Sequence, residues 1–145
     1  MADTRVQLEV EDWVREHWMQ EHFGQPFNRK RLKLCSGGVF DFDAVSQDLQ
    51  IVASISSSGG KTSSGKLPVG KLMKIRSDML FLTMIDTKRR IVVLIDADML
   101  KLCQKEVDGG RVPDTIEFLR AEIPEELKLR LHKAQETASK EVSPQ

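Results

Sequence analysis

The chain has 145 residues, 40% of them apolar, and its 22 basic and 22 acidic side chains cancel. That size suits one domain with a single core, and no apolar run approaches the ~18 residues that span a bilayer. Met1–Trp13 lacks the basic-then-apolar pattern of a secretory leader, so the cytoplasm is the expected compartment and a membrane is not an expected partner.

The charge is unevenly spread. Residues 1–23 hold two basic and six acidic side chains, a net of −4. Residues 24–90 hold twelve and five, a net of +7, and residues 91–145 eight and eleven, a net of −3. A basic segment inside a neutral protein fits an anionic partner met by one face, and equally a solvated surface. Cys35 and Cys103 each stand beside apolar residues, which predicts two buried thiols.

In chain order, residues 4–23 read as a helix, with Val6, Val10, Trp13, Val14 and His17 on one face and Gly24 and Pro26 ending it. Arg31–Cys35 alternates basic and apolar residues, as a strand does. A hairpin follows. Its first arm carries Val39, Phe40, Phe42, Ala44 and Val45, its turn is Ser46–Asp48, and its return arm runs from Leu49 to Ile55. Residues 56–65, SSSGGKTSSG, have loop composition.

Pro68 to Ile85 is a second predicted helix, striped by Leu72, Ile75, Met79 and Leu82. Lys88–Arg90 reads as a turn. Ile91–Ile95 is a continuous apolar run, the mark of a strand buried on both faces. Asp98–Asp108 reads as a short helix stopped by Gly109 and Gly110. Val112–Ile123 fits an edge strand or a helix. Pro124 opens a last helix carrying Leu127, Leu131 and Ala134. Residues 1–138 form the expected domain and 139–145 a polar tail.

Three groups of residues bear on chemistry. Asp43 lies among apolar neighbours, where a carboxylate is costly unless paired or cation-bound. Gly60–Leu67, GKTSSGKL, nearly matches the phosphate-binding pattern G-x-x-x-x-G-K-[ST], but Leu67 stands where the magnesium-holding hydroxyl belongs. Pro68 and Gly70 also disturb the helix start behind it. The loop is then either a mobile connection or a contact for nucleic-acid phosphates through its amides and lysines. His17 and His22 are five apart on one helix and point in different directions, so they are poor joint metal ligands.

The arm Phe42-Asp43-Ala44-Val45, within the order α-β-β-β-α-β over residues 5–96, resembles the PD-(D/E)XK (restriction endonuclease-like) superfamily. The resemblance implies a mixed sheet flanked by helices, here with a helical C-terminal extension. It implies that Asp43 holds a magnesium ion, since phosphodiester hydrolysis in such enzymes uses hard oxygen ligands and an activated water. A glutamate of the first helix, Glu9 or Glu16, would join it. The acid and lysine of the next strand align with Ser54 and Ser56, neither of which can do the same work.

The resemblance therefore implies a nuclease-like domain without catalysis that binds DNA, RNA or a protein. Two alternatives remain open: an active magnesium-dependent nuclease with a lysine relocated to Lys61, Lys66 or Lys71, and a structural subunit. A homodimer is compatible with each. If nucleic acid binds, Arg29, Arg31, Lys61, Lys66, Lys71 and Lys74 are the expected contacts.

Overall fold

The computed structural model describes residues 4–60 and 65–142. Helix α1 has three consecutive parts: Arg5–Trp13, a π-helical turn Val14–Trp18, and Met19–Phe23. Gly24 ends it with φ 72°, a left-handed value that suits a residue without Cβ. The strands are β1 (Phe27–Lys33), β2 (Val39–Ser46), β3 (Ile51–Ser56), β4 (Arg89–Leu94) and β5 (Ile116–Arg120). Helix α2 (Val69–Thr83) joins β3 to β4, α3 (Ala97–Asp108) joins β4 to β5, and α4 (Glu125–Val142) follows β5.

The fold is α/β, with one open, mixed sheet in the order β1-β2-β3-β4-β5. The pairs β1/β2 and β2/β3 are antiparallel, and β3/β4 and β4/β5 are parallel. Helices α1 and α4 cover one face. Their Val6, Val10, Val14, Met19 and Leu131 meet Ala53, Ile55, Ile91 and Val93. Helices α2 and α3 cover the other, where Ile75, Met79, Leu82, Met99 and Cys103 meet Phe42, Val52, Val92 and Leu94. The run Ile91–Leu94 is fully buried because alternate side chains enter the two layers. Among the described residues, no helix is long and apolar enough to cross a membrane.

Several local expectations are corrected. The first strand begins at Phe27, and the return arm of the hairpin begins at Ile51. Arg89 and Arg90, read as turn, open β4. Residues 112–123, left ambiguous, contain the strand β5, so two parallel strands follow the serine-rich loop. His17 is exposed, and Met19 takes the buried position on α1. Cys103 is buried, but Cys35 is exposed in the β1–β2 turn.

Candidate functional site at the fork in the sheet

The site is set by where two strands part. Strands β2 and β3 pair through Ala44–Ala53 and Val45–Val52 alone. Beyond those pairs, residues 39–43 and 54–56 diverge, and the sheet forks. The fork coincides with a β-bulge. Asn28 stands opposite Val45 and Lys30 opposite Phe42, so Arg29 faces two residues, Asp43 and Ala44. Such a bulge bends the strand and re-aims a side chain. Here it turns Asp43 into the fork, where its Oδ2 accepts the Ile55 N–H at 2.8 Å.

The bulge also frees a carbonyl. The oxygen of Asp43 accepts a hydrogen bond from Arg15 Nη1 at 3.1 Å. Arg15 is 7% exposed, sits in the π-helical turn, and is also paired with Asp12. A π-turn holds one residue more than an α-turn and commonly marks a functional position. In this chain it carries the guanidinium that ties α1 to the bulge.

Two more carboxylates feel the charge of Asp43. Burial, and next the charge of Asp43, raise the Glu11 carboxyl above its ordinary value, against the lowering pull of Arg15, Arg29 and Lys74. On the other face, burial raises the Asp78 carboxyl; Lys74 lowers it, by charge and hydrogen bonding, and the charge of Asp43 raises it. The Lys74 ammonium lies 3.6 Å from Asp78 Oδ2. Glu11 of α1 and Asp78 of α2 thus each feel the charge of Asp43 on β2, and Lys74 offsets it at both.

Glu9 and Glu16 lie elsewhere. Glu9 is held by Arg130 of α4 through two bonds of 2.7 and 2.9 Å, and Glu16 is exposed at a shallow groove with His17 and Gln20. The first-helix glutamate that feels the charge of Asp43 is Glu11, missed because it lies off the apolar stripe. Asp78 was missed because it is 35 residues from Asp43 in sequence.

Ser54 and Ser56 share the face of β3 that looks toward α2, with Val52. Ser54 is 2% exposed and Ser56 half-buried. The donor set does not fit a magnesium centre. Asp43 spends one oxygen on the Ile55 amide, and among the described residues no three acidic, histidine or cysteine side chains lie close enough to hold a metal ion.

The expected phosphate contacts divide. Arg29 is exposed on β1 beside Glu11 and Asp41. Arg31 makes a two-toothed pair with Asp41, at 2.9 and 3.3 Å. Lys71 is exposed on α2, and Lys74 is paired with Asp78. Lys66 is exposed, and Lys61 lies outside the described residues. The amide that opens the phosphate-like pattern is used within the fold. The Gly60 N–H donates to Asp96 Oδ2 at 2.7 Å, and the same oxygen caps α3 by accepting the Met99 N–H at 2.9 Å. Gln135 of α4 donates to the Ser57 carbonyl at 2.8 Å. The chain matches no family model, no curated protein and no solved structure.

Proposed function

We propose that the chain is a PD-(D/E)XK-like domain that binds nucleic-acid phosphates and does not hydrolyse them. The observation that carries this reading is the fork itself. It has the bulged aspartate of a nuclease-like hairpin, while the adjoining strand offers hydroxyls at Ser54 and Ser56. The succession of helix, antiparallel hairpin, crossover helix and parallel strand supports the resemblance. Arg29 of β1 and Lys71 of α2, both exposed, supply positive charge that a phosphate needs.

The test is incubation of the purified protein with magnesium or manganese and plasmid, linear or single-stranded DNA, or RNA. Intact nucleic acid, together with binding at low salt, is expected. Cleavage that disappears in Asp43→Ala overturns the reading.

A further inference from the structure

The β1–β2 hairpin runs beyond the fork, and its two faces differ. Leu32, Leu34, Phe40 and Phe42 pack toward α2, with the Phe40 ring stacked on Phe81 at 4.1 Å. The opposite face carries Arg29, Arg31 and Lys33 from β1, and Val39 and Asp41 from β2. All five are exposed, Val39 at 60%. Alternation along β1 puts the three cations about 6.6 Å apart in a row.

We propose that this face is the track on which the backbone of duplex DNA lies, and that Asp41 is its built-in competitor. The proposal rests on the phosphate-binding reading and names its surface. Asp41 is the cross-strand partner of Arg31 and fills both teeth of its guanidinium. A phosphate would use the same two donors in the same planar way. The pair is exposed, its side chains 67% and 52% accessible, and exposed ion pairs are weakly held, so an incoming phosphate displaces the carboxylate.

The partner follows from what the face has and lacks. Among the described residues it carries neither an aromatic side chain for unpaired bases to stack on nor a row of hydroxyl or amide side chains for ribose 2′-hydroxyls. A stiff row of cations suits the evenly spaced, densely charged backbone of a duplex.

The test is fluorescence anisotropy with labelled duplex DNA, duplex RNA and single strands of one length, at several salt concentrations. Asp41→Asn is expected to tighten duplex DNA about 3- to 10-fold at low salt and to steepen the salt dependence by about one phosphate contact. Asp108→Asn, the same charge change on an exposed position of α3, is expected to alter affinity less than twofold. In an Arg31→Ala background, Asp41→Asn is expected to lose most of its gain. A gain equal to that of Asp108→Asn, or one undiminished without Arg31, overturns the competitor role. Tighter binding of single strands or duplex RNA overturns the choice of partner. Binding by no variant to any nucleic acid overturns the functional reading and this proposal with it, whereas binding without the Asp41 effect overturns this proposal alone.

Discussion

The Asp43 carboxylate accepts the Ile55 N–H at 2.8 Å where β2 and β3 separate. The side chain thereby does what the next backbone carbonyl of a continuous ladder would do. Removing it strands a partly buried donor, which costs about 1–3 kcal/mol. Asp43→Ala is expected to lose that much in urea unfolding. Asp43→Asn keeps an accepting oxygen and is expected to lose clearly less. Equal losses would mean that the charge, and not the hydrogen bond, holds the fork.

Glu11 gives the fork a pH signature. Its carboxyl is raised by burial and then by Asp43, so the folded protein holds this proton more tightly than the unfolded chain. The stability it contributes is complete below the ordinary carboxylate range and is lost as pH rises through the raised folded value. Glu11→Gln keeps a neutral group there and is expected to melt about 1–3 °C above wild type at pH 7, a small gain because the group is half in solvent. The difference should shrink as pH falls through the raised value into the ordinary carboxylate range. A constant difference across pH would place Glu11 outside the cluster.

Ser54 is 2% exposed, so β3 leaves an acid at this position no access to water. Ser54→Glu is expected to destabilise the domain by several kcal/mol, because an unpaired charge would be buried. Ser56→Lys, half-buried at the end of β3, is expected to cost under about 1 kcal/mol, the scale of ordinary surface changes. Chemical denaturation of the two single variants distinguishes them.

The serine-rich loop is pinned at Gly60. A Cβ there would meet the Met99 nitrogen at 2.3 Å and the Asp98 carbonyl carbon at 2.4 Å. Both are backbone atoms that cannot swing aside. Gly60→Ala is therefore expected to cost about 1–3 kcal/mol, read as a lower melting temperature. Gly70→Ala, with open space around its Cβ position, is the control and is expected to be neutral or slightly stabilising.

Those features whose physics is local were legible in the sequence. The apolar run Ile91–Leu94 announces a buried strand because two layers cover it. The stripe on α2 announces its packed face. The start of β1 was hidden because Asn28–Arg31 are all exposed, leaving no alternation to read. The site was half legible. Asp43 stands out as a carboxylate among apolar residues, but the bulge that aims it is a property of pairing between strands. Glu11 and Asp78 reach it only through the three-dimensional placement of α1 and α2. Pattern alone does not show that Asp96 takes the Gly60 amide.

The central claim is that this domain holds phosphates electrostatically, and the salt dependence of duplex DNA binding tests it most directly. The account predicts that log affinity falls linearly with log salt concentration, by about 0.9 for each phosphate contacted. Replacing Arg29 and Lys71 with alanine should reduce that slope by about two contacts, with no preference among duplex sequences. No binding at 50 mM salt, or binding that is indifferent to salt and to these two substitutions, would contradict it.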